Sequence, residues 1–348
     1  MPHIAVDAMS GDFGASTIIR AIASLVKTYP DVVFHLVGAL DVLQDSVARA
    51  RLQGSPQIVL HHASQVVAMD EAPSQALRGK RDSSMHLAIA LLRDGQVDAV
   101  VSAGNTGALM AMGKVFLRTI SGIDRPAIAA FLPTMTGRVL VLDLGANVDC
   151  HPEHLLQFAV MGSVLMEQVH GLARPRIGLL NIGSEEIKGN EQVKEAARLL
   201  RTSPLHFIGN VEGSDLYRGT ADVVVCDGFV GNVVLKVSEG LADAMGTMLK
   251  DEILKSLVSK LGGLFIRGAF KRFKKTVDYA EYGGAPLLGI NGVGMICHGG
   301  SNAKAIKNAI RFAHDYAKSG LTEHVSEKLS ENYAVYMQRD VQKTQDAA

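Results

Sequence analysis

The 348 residues carry 35 Lys or Arg against 35 Asp or Glu, so the formal net charge is zero; 47% of the residues are hydrophobic and 20% charged. That composition is globular, and the length is enough to bury a sizeable core. With no Trp, few aromatics and no basic excess, it argues against a nucleic-acid surface built on base stacking and phosphate neutralisation.

Three cysteines, Cys150, Cys226 and Cys297, are far apart and form no C-x-x-C pair. A disulfide framework or a zinc site is not expected, and a reducing cytoplasm fits. The first residues, MPHIAVDAMSGDFG, contain acids and glycines and do not read as a signal peptide. No apolar run reaches the length of a bilayer span.

In chain order, short apolar runs predict strands at 4–7, 32–37, 58–61, 99–102, 127–132, 139–142, 177–181, 206–209, 223–226 and 295–297. Several lack alternation, as strands covered on both faces do. Helical patterns lie between them, at 84–93, 106–117, 153–169, 191–200 and 231–249. This order predicts a three-layer α/β/α unit over 1–348 with a mostly parallel sheet.

The 35 glycines cluster after the strands. They fall in Asp7-Ala-Met-Ser-Gly-Asp-Phe-Gly14, Ser102-Ala-Gly-Asn-Thr-Gly107 and Asp143-Leu-Gly-Ala-Asn147. They recur in Asn181-Ile-Gly-Ser-Glu-Glu-Ile-Lys-Gly-Asn190, Cys226-Asp-Gly-Phe-Val-Gly-Asn232 and Gly289-Ile-Asn-Gly-Val-Gly294. In open α/β sheets, ligands bind outside the carboxyl ends of strands. Backbone N–H groups entering a helix bind phosphate without a local cation. Each loop alone reads first as a tight βα turn; six at strand ends predict one shared anion site.

Known spacings fail. Gly107 to Gly113-Lys114 misses the Walker A spacing by one residue, no G-x-G-x-x-G follows the first strand, and neither G-x-S-x-G nor H-E-x-x-H occurs. Lys188, in a Gly-flanked acidic loop, is a candidate phosphate clamp or carbonyl polariser, set against a solvated loop lysine. His298 precedes Gly299-Gly300 and is a candidate acid, base or phosphate donor, or a plain turn histidine. Asp7 and Asp227 end strands and either orient a cation or a neighbouring donor or cap helices.

From Met248 to Lys275, eight Lys or Arg stand against Asp251 and Glu252, a local charge of +6. Apolar residues recur between them at helical spacing. Residues 248–276 therefore predict a basic amphipathic helical hairpin suited to an anionic membrane or an acidic partner, the alternative being a dimer interface or packed helix.

Taken together, the loops closely resemble the PlsX family of acyl-ACP:phosphate acyltransferases. The set is completed by Lys188-Gly-Asn-Glu191, Gly209-Asn-Val-Glu-Gly213 and Glu281-Tyr-Gly-Gly-Ala-Pro-Leu-Leu-Gly289. Ser10, Ala15, Val230 and Gly300 depart from the family pattern. The resemblance implies a phosphotransacetylase/isocitrate-dehydrogenase-like fold, a homodimer, and no metal or redox cofactor. It implies transfer of a long-chain acyl group from acyl carrier protein to orthophosphate, with the acyl phosphate passed to a membrane glycerol-3-phosphate acyltransferase. Under that reading Lys188, Asn232, Asn105 and His298 are the catalytic candidates. Asp7, Gly104, Thr106, Gly107, Asn147, Asn190, Asp227 and Gly228 are candidate substrate or phosphate contacts. Phe265, Arg267, Phe270, Lys271, Arg272, Lys274 and Lys275 are candidates for membrane or carrier contact. Competing readings are a phosphotransacetylase-like enzyme of short acyl-CoA, a metal- and NAD-dependent decarboxylating dehydrogenase, and a non-catalytic anion binder.

Overall fold

The computed structural model describes residues 1–277 and 283–332. Among these residues eleven strands pair into one mixed sheet in the order β3-β2-β1-β4-β11-β10-β5-β6-β9-β7-β8. The strands are β1 (His3–Asp7), β2 (Val33–Gly38), β3 (Ile58–His62), β4 (Ala99–Ser102), β5 (Ala127–Thr134), β6 (Gly137–Leu142), β7 (Ile177–Leu180), β8 (Phe207–Val211), β9 (Val223–Val225), β10 (Ala285–Leu288) and β11 (Val293–Ile296). β1 and β4 are buried at nearly every position, which is why their sequences are apolar without alternation.

Helices cover both faces. One face carries α1 (Gly14–Leu25), α2 (Leu40–Arg49), α6 (Pro152–Gln168), α7 (Glu191–Thr202) and α10 (Ala303–Lys318). Ile18, Ile19, Ile22 and Leu25 form the buried stripe of α1, and α6 is buried on nearly all sides. The other face carries α3 (Pro73–Gly79), α4 (Ser84–Arg93), α5 (Thr106–Met112) and the first turns of α8 (Gly228–Leu254). The expected helix at 106–117 is α5 followed by a π turn over Gly113–Leu117.

The expected three-layer α/β/α architecture is present, with one correction. β10 pairs antiparallel with both β11 and β5, and β5 pairs antiparallel with β6. All other pairings are parallel. The half-sheet β3-β2-β1-β4-β11 therefore runs opposite to the half-sheet β6-β9-β7-β8. Their carboxyl ends open on opposite edges. The six glycine loops do not converge on one edge within a chain. No strand is predicted over β10, whose four residues sit among glycines, and Gly289–Gly294 joins two strands rather than leading into a helix.

α8 continues into α9 (Leu257–Val277), and the two helices pack on each other as a hairpin. The turn falls at Lys255 and Ser256, so Gly262 and Gly263 lie inside α9. Ser238 still bonds Tyr217, and from Gly240 to Glu252 every residue of α8 is exposed. Met248 is 71% exposed, Leu257 79% and Phe265 87%. No helix among the described residues is long and apolar enough to cross a membrane. Glu281, Tyr282 and the terminal residues from 341 onward lie outside the described residues, as do the side chains of Lys274 and Lys275.

Candidate active site

At the first edge, three loops meet after β1, β4 and β11. Asp12 donates its N–H to the Gly299 carbonyl at 2.9 Å, and Cys297 N–H reaches the Ser102 carbonyl at 2.8 Å. Asp7 closes β1 and is 1% exposed. Its Oδ2 accepts from the Ser102 hydroxyl at 2.8 Å. Burial raises its carboxyl above the ordinary value, against the hydroxyls of Ser84 and Ser102, which favour the charged form. Asp7 was expected as a substrate or phosphate contact; its side chain is buried against Ser102 and not open to solvent.

Asn105 was expected to donate to phosphate or an oxyanion. Its amide nitrogen is within 2.9–3.2 Å of the Ala68, Met69 and Glu71 carbonyls, and its oxygen caps α5 by accepting from Ala108 N–H. The side chain is a loop clamp with no donor left over. Gly104 is pressed against its surroundings, and a Cβ there would stand 2.7 Å from Met85 Cε. Thr106 is exposed and opens α5. Gly107 lies under Pro73, where a Cβ would come within 2.9 Å of Pro73 Cγ. His298 is exposed, and its Nδ1 accepts from Gly300 N–H at 3.1 Å.

The second edge gathers the loops after β6, β9 and β7. Asp143, fully buried, accepts from the N–H groups of Ile128, Ala146 and Asn147 and from the Asn147 side chain. Burial raises its carboxyl, and those donors oppose the rise. Asn147 also donates Nδ2 to the Pro126 carbonyl at 2.7 Å, and its own carbonyl accepts from Gly228 N–H at 2.7 Å. Asn147 was expected as a ligand donor; both its amide protons are engaged inside the protein. Asp227 caps α8 by accepting from Val230 N–H, and Asn190 caps α7 by accepting from Val193 N–H. Gly228 has no room for a side chain, since a Cβ would stand 2.6 Å from the Asn147 carbonyl.

Asn232 is exposed beside Gly145, where a Cβ would lie 3.6 Å from the Asn232 side chain. Lys188 is exposed in the loop after β7, which is tied by Asn181 Nδ2 to the Lys188 carbonyl at 3.1 Å. Lys188 forms no ion pair among the described residues, whereas Glu186 in the same loop pairs with Arg201. Strand order β6-β9-β7 sets Asn147, Asp227, Asn232, Asn190 and Lys188 along one edge. Asp7, Gly104, Asn105, Thr106, Gly107 and His298 belong to the other.

Asp143 and Ser102 are not among the residues the sequence singles out, and Ser10 is singled out only as a departure from the family pattern. Each stood inside a quoted loop, and an Asp or Ser closing an apolar strand before Gly was the available signal. Arg125 had no such signal: its Nη1 donates to the Asp149 carbonyl at 2.8 Å across the second edge. The thiols are unactivated. Burial pushes Cys150 and Cys297 up to about 12, and Cys226 is also raised. Among the described residues no group of three or more His, Cys, Asp or Glu is arranged to hold a metal ion.

Residues 3–324 match the family described as Fatty acid synthesis protein. A protein named phosphate acyltransferase from Trichlorobacter lovleyi is 57% identical over 337 residues, 97% of each chain. One of the same name from Pelobacter propionicus is 56% identical over 343 residues, 99% of each chain. Among solved structures, a phosphotransacetylase from Streptococcus pyogenes superposes with a TM-score of 0.62 at 15% identity, covering 91% of this chain and 94% of its own. That likeness concerns the fold. Family match, near-full-length identity and the loop set agree: the chain belongs to the fatty acid synthesis protein family, the PlsX family that its loops resemble.

Proposed function

We propose that the chain is an acyltransferase that moves a long-chain fatty acyl group from acyl carrier protein onto orthophosphate, releasing acyl phosphate for phospholipid synthesis. The observation that carries this reading is the 57% identity, across 97% of both chains, with a protein named phosphate acyltransferase. A phosphate oxygen attacks the thioester carbonyl carbon. The C–O bond forms, the C–S bond breaks, and the carrier leaves as a thiolate that takes up the proton phosphate gives up. Phosphate is already a nucleophile, so holding it against the thioester can supply ~7–11 kcal/mol of the barrier. Each well-placed donor to the tetrahedral oxyanion adds ~2.7–4 kcal/mol.

Lys188 and Asn232 are the exposed groups suited to phosphate or oxyanion contact on their edge. Thr106 and His298 are exposed polar groups of the other edge. The engaged amides of Asn105 and Asn147 assign those residues to loop geometry instead. The reaction so written needs no metal or redox cofactor.

The exposed stripe Val230, Val233, Val237, Leu241, Met245 and Met248 on α8 suits a second copy in a homodimer. Leu264, Phe265 and Phe273 on α9, with Arg267, Lys271 and Arg272, suit an anionic membrane face. Phe270, half-buried, lies on the same helix. Such a placement makes the protein cytoplasmic and peripheral, beside a membrane glycerol-3-phosphate acyltransferase.

The deciding experiment supplies phosphate with either palmitoyl-ACP or acetyl-CoA and measures acyl phosphate. Formation from palmitoyl-ACP alone, dependent on phosphate, is expected. Formation from acetyl-CoA alone would move the reading to a short-chain phosphotransacetylase. Turnover of neither, with phosphate still bound, would make the chain an anion-binding protein.

A further inference from the structure

Two hydroxyl relays converge on Asp7. The Ser102 hydroxyl has one proton and donates it to Asp7 Oδ2 at 2.8 Å. Its lone pairs are thereby turned to accept the Gly104 N–H, at 3.1 Å. The Ser10 hydroxyl likewise donates its only proton to the Asp7 carbonyl at 2.9 Å, and accepts the Ala103 N–H at 3.0 Å. A hydroxyl that has given away its proton can only accept in its remaining directions. The first two amides after β4 are thus oriented by one residue on β1.

Everything in the relay is buried. Asp7 and Ser102 are each 1% exposed and Ser10 7%. A buried carboxyl, whose charged form draws on the Ser102 and Ser84 hydroxyls alone among side chains of β4 and α4, is a costly way to hold a core together, where an apolar side chain would pack without loss. It is a good choice for forcing a neighbouring hydroxyl into one orientation. The next residue, Asn105, is clamped from the other side by the Ala68, Met69 and Glu71 carbonyls. The loop 102–107 is therefore held from β1 and from the segment before α3 without help from a ligand.

We infer that Asp7, Ser102 and Ser10 form a positioning relay that fixes the loop 102–107 for the phosphate-dependent reaction, with Asp7 acting through the two hydroxyls and never on substrate. The inference rests on the acyl-transfer reading for its catalytic consequence, while the relay itself is a property of the loop.

The test pairs amide exchange of the 103–107 segment with kinetics, for wild type, Ser102→Ala, Asp7→Ala, Asp7→Asn and the double variant Asp7→Ala/Ser102→Ala. Removing one relay hydrogen bond should speed exchange in this segment about tenfold and lower kcat/KM for phosphate by a similar factor. The double variant should be no worse than the worse single variant, because both break one chain of bonds. Asp7→Asn should restore protection, since its amide oxygen still accepts from Ser102. Wild-type exchange in Ser102→Ala, or multiplied effects in the double variant, would overturn the relay. Should Asp7→Ala fail to fold, the comparison of Ser102→Ala with Asp7→Asn still decides. If the wild type shows no phosphate-dependent acyl transfer, the functional reading falls, and the exchange measurement continues to judge the relay.

Discussion

Asn147 donates both its backbone N–H and its side-chain amide to one oxygen of Asp143, at 2.7 and 2.8 Å. The other oxygen takes the N–H groups of Ile128 and Ala146. Four donors around a fully buried carboxyl tie the loop after β6 to the start of β5. Asp143→Ala leaves those donors unpaired, and the expected loss is about 3 kcal/mol or more. Urea melts measure it. A midpoint matching wild type would show that water replaces the carboxyl without cost.

Gly231 reverses the usual helix rule. Replacing an exposed helical glycine by alanine stabilises by about 1 kcal/mol. A Cβ at Gly231 would instead collide with the Asp143 carbonyl and stand 3.0 Å from Cys226 Sγ. Gly240, on the same helix, faces open space. Gly231→Ala should lower the thermal midpoint or prevent folding, and Gly240→Ala should hold or raise it. Equal midpoints for the two variants would contradict the tight seat of α8 on the β6 loop.

Lys188 tests the second edge. Its side chain is exposed and makes no ion pair among the described residues, so removing it has little to disturb. Lys188→Ala should unfold at the wild-type midpoint yet turn over palmitoyl-ACP with phosphate about 100-fold more slowly. Unchanged turnover would remove Lys188 from the site.

Stability should fall in mild acid. His35 is 7% exposed, with Nε2 2.9 Å from His3 Nδ1 and Nδ1 2.8 Å from His61 Nε2. Burial first, then the neighbouring His61 and His3, lower it from 6.5 to about 4. Burial and Arg138 likewise lower His170 to about 4. A depressed folded-state value means the unfolded chain binds the proton first. The contribution is present above 6.5 and is lost as pH falls through about 4. Each histidine adds a slope approaching about 1.4 kcal/mol per pH unit inside that window. Urea melts across it should show the decline, and His35→Gln should flatten part of it. An identical slope in the variant would exclude His35 as a source.

The membrane reading is checked by flotation with anionic vesicles. Phe265 is 87% exposed near the middle of α9, with Arg267, Lys271 and Arg272 on the following turns. The Phe265→Glu/Phe270→Glu variant should leave the lipid fraction, and added salt should weaken wild-type recovery. Equal recovery of variant and wild type would count against this surface.

Much of the fold is legible in local patterns. Ten of the eleven strands announce themselves as short apolar runs, because strands covered on both faces admit little else. The stripe Ile18, Ile19, Ile22 and Leu25 marks α1 for the same reason of one-sided burial. β10 was hidden because its four residues, Ala285 to Leu288, are bracketed by glycines and are too few to show a period.

What the loops contain was written in the chain, since Gly, Asn, Ser and Asp after a strand are a local backbone requirement. Their grouping was not. Two of the three antiparallel pairings are local, β10 with β11 and β5 with β6, but their joining depends on residues more than a hundred positions apart, such as Leu287 with Ile128. Those pairings reverse one half-sheet and send the Lys188 and Asn232 loops to the edge opposite Asp7 and Gly104. Likewise, the sequence by itself showed polar side chains able to donate, but only the tertiary structure decided which donors remain. Asn105 and Asn147 are engaged by carbonyls and a carboxyl brought from other segments, while the Lys188 side chain stays exposed and forms no ion pair among the described residues.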